Sequence, residues 1–204
     1  MGYIPTISHE EVDALQAASF NGEITVIDSE NDDYKEAIEY LSRQRIIGFD
    51  TETRPTFQAN AKRNGVALLQ LSGSDRAYIF RLHSLGLTDD LCMLLSSKST
   101  IKVGAAVHDD IKGLQHYKKF IAKGFVDLQT VGENWGIKEK SVKKMAAIIL
   151  GFKISKSQQL SNWEAQDLTP AQIQYAAIDA WACQRMYLKL LSTPKVVVVQ
   201  KEEV

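Results

Sequence analysis

Cysteine is scarce in this chain, which has only Cys92 and Cys183 among its 204 residues. Each lies in an apolar stretch without a second cysteine nearby, so the spacing typical of zinc sites and disulfide frameworks is missing. The sequence therefore predicts two buried free thiols. Free thiols persist in a reducing compartment, and we expect a cytoplasmic location.

Long apolar runs and an excess of one charge are missing as well. No run approaches the roughly 18 apolar residues of a membrane span, and the first residues lack the basic and apolar regions of a signal peptide. The net charge is −1, from 24 basic and 25 acidic residues, so no strong overall field favours nucleic acid or a membrane. An enzyme that holds a few nucleotides at a chain end needs few phosphate contacts and stays compatible with this charge. No obligate protein partner is indicated.

Hydrophobic periodicity predicts an α/β fold with a mixed central sheet flanked by helices and a helical C-terminal half. Short apolar runs predict strands at residues 24–27, 46–50, 66–71, 77–80, 101–105 and 125–128. Helices are predicted at residues 8–21, 32–43, 88–95 and 109–121, and in several segments between 129 and 191. We expect three parts: a helical extension over residues 1–23, one domain over residues 24–191 and a tail over residues 192–204.

Two carboxylates close the apolar strand that ends in Asp50-Thr51-Glu52. Side chains alternate along a strand, so Asp50 and Glu52 point to the same face with Cα atoms about 6–7 Å apart. Two acids at the end of a buried strand are costly unless they are paired. A divalent cation with oxygen ligands would satisfy them, although acids that cap the following loop remain an alternative.

A strong helix start precedes a tyrosine and an aspartate that are four residues apart. Thr169 as N-cap, Pro170 at the first position and Gln172 at the third position predict a helix. Tyr175 and Asp179 then lie on one face of that helix. A buried aspartate needs a partner, which a metal site or a simple Tyr–Asp hydrogen bond would provide.

Two acids also open the helix predicted over residues 109–121. N-capping explains one of them well and the second poorly. Asp110 shares a helix face with Leu114, which should turn toward the core where the other acids converge. Asp109 stands where an N-cap is wanted, so we expect Asp110 at the site and Asp109 at the cap.

The order of the three segments FDTET, VHDDIKGL and YAAID resembles the motifs of the DEDD 3′-5′ exonucleases in their tyrosine-bearing branch. The similarity is greatest to ribonuclease D and Werner-type exonuclease domains, and it covers about residues 24–191. Gln174 stands where the other branch has a histidine, which favours the tyrosine branch. The chain departs from ribonuclease D-like members at Gln166-Asp167, where those members often carry Arg-Pro.

This resemblance implies an RNase H-like fold and a metal-dependent enzyme that releases nucleoside 5′-monophosphates from the 3′ end of nucleic acid. It implies two divalent cations, Mg²⁺ or Mn²⁺, with Asp50 bridging them, Glu52 and Asp179 on the first, and Asp110 on the side of the second. Tyr175 is implied to orient the attacking water. The implied partner is a single-stranded 3′ end of DNA or RNA.

Substrate contacts are implied by the same resemblance. Lys156 matches a family lysine in the loop before the last helix and is expected to contact a phosphate. Leu69 and Gln70 belong to the segment that resembles the second strand of the family and are expected to bind substrate. Trp163 is expected to pack under the Lys156 loop.

Two alternatives stay open. A non-catalytic nucleic-acid-binding protein on this fold would be expected to have lost one of the acids, whereas all four acids and the tyrosine are present. A phosphodiesterase restricted to very short oligonucleotides is also compatible with the near-neutral charge.

Overall fold

The computed structural model describes residues 2–56 and 64–195. Its centre is a six-stranded mixed sheet in the order β1-β4-β3-β2-β5-β6. The strands are β1 (Glu23–Ile27), β2 (Ile46–Thr53), β3 (Val66–Ser72), β4 (Arg76–Arg81), β5 (Ile101–Gly104) and β6 (Phe125–Asp127). Strands β2, β3 and β4 form an antiparallel meander, whereas the other pairs are parallel. The predicted acids of β2 therefore lie on an inner strand.

Helices cover both faces of the sheet. In the described residues they are α1 (His9–Asp13), α2 (Asp32–Arg43), α3 (Leu82–Leu85), α4 (Asp89–Ser96), α5 (Val107–Gln115), α6 (Leu128–Val131), α7 (Val142–Leu150) and α8 (Pro170–Leu191). None of them is long and apolar enough to cross a membrane. The predicted mixed sheet with a helical second half is observed.

The first 23 residues are less helical than predicted. Helix α1 ends at Asp13, and the chain then pairs Ala17 with Lys153 in an isolated parallel bridge. The Ala18 amide and the Gln16 carbonyl form hydrogen bonds with the backbone of Lys153. These groups are therefore not available to extend the helix. Farther toward the N-terminus, the Tyr3 hydroxyl lies 3.1 Å from the Thr193 hydroxyl. The N-terminal segment thus packs along the C-terminal half.

Helix α8 packs directly on β2. It begins at Pro170, and Thr169 before it forms the predicted capping box with Gln172. A Cβ atom added to Gly48 would lie 1.8 Å from the carbonyl oxygen of Ala180, so glycine permits this close approach. Farther along, the Gln184 amide donates a 3.0 Å hydrogen bond to the carbonyl of Ile46. These contacts place the N-terminal half of α8 beside the last residues of β2.

Successive side chains of β2 point to opposite faces of the sheet and pack in two different layers of the core. Phe49 packs in the cluster formed with helices α2, α4 and α5. Gly48 faces α8, and because side chains alternate, Asp50 and Glu52 share its face. The strand therefore directs both acids toward α8.

Helix α5 differs from the prediction at both ends, since it spans Val107–Gln115 and not residues 109–121. Ala106 has a φ of 55° and turns the chain into the helix without a side-chain cap. The side chain of Asp109 is 91% exposed and lies 3.8 Å from the Lys112 ammonium. The predicted N-cap role of Asp109 is wrong, because the backbone turn at Ala106 starts the helix earlier.

Candidate metal centre and active site

Three carboxylates meet where α8 crosses the end of β2. Asp50, Glu52 and Asp179 each offer an oxygen atom, and these oxygens lie within 4.8 Å of one another. Asp179 is only 8% exposed, and its Oδ1 has no hydrogen-bond partner in the part of the chain that the structure describes. An unpaired buried carboxylate oxygen is costly, and hard oxygen ligands suit a divalent cation. The three side chains therefore fit a metal ion.

Asp110 approaches the same strand from its other face. Its Oδ1 accepts a 2.6 Å hydrogen bond from the Thr51 hydroxyl. Its charge contributes to the raised pKa of Asp50 and of Glu52, so it lies near both. It is nevertheless outside the group of three carboxylates within 4.8 Å. The structure thus gathers the four predicted acids around one strand end, with three together and one set apart.

Burial raises the pKa of all four acids, and repulsion within the group adds to the effect for Asp50 and Glu52. Burial first, and then the charge of Asp179, raises the pKa of Glu52 to about 8. Burial raises the pKa of Asp179 to about 7 and that of Asp110 to about 6. The pKa of Asp50 rises well above its usual value through burial and then through its three acidic neighbours. A bound cation would lower all four pKa values, because it favours the charged carboxylates.

Tyr175 is buried beside the three carboxylates. Its ring lies against Trp163, with 5.8 Å between the ring centroids and a tilt of 37°. Trp163 is buried, as the sequence predicted, and it backs the tyrosine ring. Burial and then the charge of Asp179 raise the pKa of Tyr175 above its usual value, which keeps the phenol protonated. The hydroxyl therefore keeps a hydrogen that it can donate at the site.

Two lysines line a cavity of about 330 Å³ at this site, together with Asp50, Tyr175 and Asp179. One is Lys156, the predicted phosphate contact. The other is Lys143 of α7, which sequence reasoning missed. Nothing in its local sequence separates Lys143 from a solvated lysine, since only the packing of α7 against α8 brings it here.

Leu69 and Gln70 do not reach this cavity. All seven residues of β3 are buried, and Gln70 is only 1% exposed. Gln70 pairs with Asp50 in the antiparallel register, but it is covered by the packing around it. The predicted substrate contacts of Leu69 and Gln70 are at odds with the structure, because an inner strand is covered on both faces.

A larger groove of about 990 Å³ adjoins Asp110. It runs between the end of β2 and helix α5, and its lining includes Arg54, Lys112 and His116. Its lining includes both Thr51 and Asp110, so the groove adjoins the end of β2 that carries the carboxylates.

The sheet order, the helix across β2 and the gathered acids define an RNase H-like fold with a candidate metal centre. A family model described as 3′-5′ exonuclease matches residues 25–193. The chain belongs to this 3′-5′ exonuclease family, and the family predicted from the three motifs is confirmed.

Relatives and a solved structure agree with this assignment. The chain is 36% identical over 151 residues to exonuclease 3′-5′ domain-containing protein 2 of Drosophila melanogaster, covering 72% of this chain and 25% of that protein. It is 32% identical over 161 residues to the bifunctional 3′-5′ exonuclease/ATP-dependent helicase WRN of Mus musculus, covering 74% of this chain and 11% of that protein. The crystal structure of the Aedes aegypti Nibbler EXO domain superposes with a TM-score of 0.74 at 24% identity, covering 86% of this chain and 92% of that one. The likeness to this crystal structure confirms the predicted fold. The chain spans 25% or less of the length of the two curated relatives.

Proposed function

We propose that this chain removes nucleotides stepwise from the 3′ end of nucleic acid and releases nucleoside 5′-monophosphates. The observation that carries the proposal is the cluster of Asp50, Glu52 and Asp179 beside Tyr175, in a chain of the 3′-5′ exonuclease family. Clustered buried acids next to a tyrosine hydroxyl suit a hydrolytic site, because structural acids are rarely left to repel one another in this way.

The proposed cofactors are two divalent cations, Mg²⁺ or Mn²⁺. The donors are all oxygens, which favours these ions over zinc. In this proposal Asp50, Glu52 and Asp179 would hold the first ion, and Asp50 and Asp110 would hold the second. When bound there, such ions would supply a Lewis acid that activates water and stabilises charge on the leaving 3′ oxygen. Four carboxylates balance the charge of two divalent ions.

The protein's own groups are proposed to orient water and phosphate. The Tyr175 hydroxyl, on a ring that packs against Trp163, donates a hydrogen bond to the attacking water. The exposed Lys156 ammonium at the cavity contacts a phosphate oxygen. Both groups line the space above the acids, so they act on the same phosphodiester.

The proposed substrate is a single-stranded 3′ end of DNA or RNA. A cavity of about 330 Å³ is at the small end of ligand cavities, which suits one terminal nucleotide better than a duplex. The groove with Arg54, Lys112 and His116 is proposed to hold the preceding nucleotides. We assign the activity to residues 24–191, and we propose a cytoplasmic location because both cysteines are buried free thiols.

Digestion of 5′-labelled DNA and RNA oligomers of graded length tests the proposal. We expect a ladder that shortens one nucleotide at a time in Mg²⁺ or Mn²⁺ and stops in excess EDTA. Asp50→Asn should be inactive, whereas Asp109→Asn, which changes an exposed acid, should be active. Undiminished hydrolysis in EDTA, or by the Asp50 variant, contradicts the metal site.

The same assay separates the alternatives. Products from only the shortest oligomers would indicate a phosphodiesterase restricted to short substrates. Oligomer binding without any product, in either metal, would indicate a non-catalytic nucleic-acid-binding protein.

A further inference from the structure

Lys143 contacts the tyrosine of the candidate active site. Its ammonium nitrogen lies 3.3 Å from the Tyr175 hydroxyl oxygen and 5.2 Å from the centre of the ring. The side chain is half-buried at the start of α7 and lines the cavity. Lys143 is therefore not a solvated surface lysine, because it contacts the tyrosine proposed to act in hydrolysis.

The chemistry of this contact fixes the direction of the tyrosine hydroxyl. An ammonium group donates hydrogen bonds and accepts none, so the Tyr175 oxygen is the acceptor. The hydroxyl hydrogen must then point to a different acceptor. Asp50 and Asp179 line the same cavity as Tyr175, so acceptors for that hydrogen lie on the cavity side.

The positive charge of Lys143 acts on Glu52 and Asp179. It lowers the pKa of Glu52 and of Asp179 against the effect of their burial. Lys143 also lines the same cavity as Asp179, so it lies close to this part of the acidic cluster.

We propose that Lys143 is a positioning residue that holds the Tyr175 hydroxyl as a hydrogen-bond donor toward the attacking water. The proposal rests on the exonuclease function proposed above. It differs from the role of Lys156, because Lys143 acts through the tyrosine, whereas Lys156 contacts the substrate itself.

A double-mutant cycle between Lys143 and Tyr175 tests the proposal. Lys143→Met should lower kcat about tenfold, as expected for one lost hydrogen bond to a charged donor, with KM within about twofold. Tyr175→Phe should lower kcat further, and adding Lys143→Met to it should change nothing more. Effects that multiply, or a raised KM without a loss of kcat, would show that Lys143 binds the phosphate directly and would overturn the proposal.

Two variants control for charge and folding. Lys143→Arg keeps a charged donor and should restore part of the lost kcat. Lys144→Met removes the next lysine, which pairs with Glu139 at 3.1 Å and not with the site, and should leave kcat unchanged. Equal losses in the Lys143 and Lys144 variants would indicate a general effect on α7.

Binding of Mn²⁺ without nucleic acid gives a readout that does not depend on hydrolysis. Lys143→Met should bind Mn²⁺ several-fold more tightly by calorimetry, because a positive charge near Glu52 and Asp179 is removed. Tyr175→Phe, a neutral change, should not. Unchanged affinity in the Lys143 variant would overturn its placement, even if the wild type is active. A wild type without metal-dependent hydrolysis would overturn the exonuclease function and this role together.

Discussion

The hydroxyl of Thr51 donates a 2.6 Å hydrogen bond to the carboxylate of Asp110. Thr51 stands between Asp50 and Glu52 in the sequence, but its side chain points to the other face of β2. One strand therefore supplies two acids on one side and orients a third acid on the other side. The positions of Asp50, Glu52 and Asp110 relative to one another therefore depend on β2.

Thr51→Val keeps the shape of this side chain and removes its hydrogen bond. A hydrogen bond to a charged group contributes about 1.5–3 kcal/mol, so we expect single-turnover hydrolysis to fall about ten- to hundredfold as Asp110 loses its orientation. Thr25→Val is the control, since Thr25 lies in β1, away from the carboxylates and the groove. Equal rates in the two variants would show that the Thr51 contact has no part in hydrolysis.

Asp110 and Asp109 are neighbours with opposite expected roles. Asp110→Asn should nearly abolish turnover, while its melting temperature in metal-free buffer stays unchanged or rises because repulsion is relieved. Asp109→Ala should keep its activity and change the free energy of unfolding by less than about 0.5 kcal/mol, since Asp109 is exposed and caps nothing. An inactive Asp109 variant beside an active Asp110 variant would reverse this assignment.

Tyr175→Phe should fold normally and lose about 10²–10⁴-fold in hydrolysis, the usual contribution of a group that positions or protonates a reactant. The matched control is Tyr34→Phe, which also removes a buried hydroxyl, here one that lies 2.6 Å from the Thr88 hydroxyl and far from the site. Single-turnover rates measure both. If the Tyr175 variant keeps the wild-type rate, the tyrosine only fills space.

Stability without metal should fall as the pH rises. The folded protein holds protons on its acids with pKa values of about 6, 7 and 8, above the ordinary values of 3.8 and 4.5. The stabilisation is therefore complete below the ordinary values and is lost as the pH rises through about 6 to 8. Urea unfolding in EDTA at pH 5.5 and pH 8 measures this change.

Two further conditions check the cause of this pH dependence. Asp50→Asn removes the central charge and should flatten the difference between the two pH values. Saturating Mn²⁺ should raise stability at pH 8 in the wild type, because the ion binds the deprotonated native site. A wild type equally stable in EDTA at both pH values would argue against buried acids that stay protonated in the folded protein.

Local patterns were enough to locate the acids. The alternation that puts Asp50 and Glu52 on one face depends only on the strand, and the capping box at Thr169 fixes the phase of the helix that carries Asp179. These choices need no knowledge of the rest of the fold. The resemblance to the exonuclease family then indicated that the three acid-bearing segments form one site.

Features that depend on tertiary packing were not predictable in the same way. The backbone turn at Ala106 starts the helix in place of the side-chain cap expected from Asp109. The acids that follow in the sequence do not predict the positive φ of Ala106. Gln70 looks accessible as a polar residue, yet an inner strand buries it. Lys143 reaches Tyr175 only because α7 packs on α8.

The contact between Tyr3 and Thr193 brings the two ends of the described chain to one place. A unit whose ends meet can be inserted into a longer polypeptide through two adjacent junctions, without opening its sheet. This arrangement also makes the chain suitable for circular permutation, with new ends at the exposed Ser74 turn.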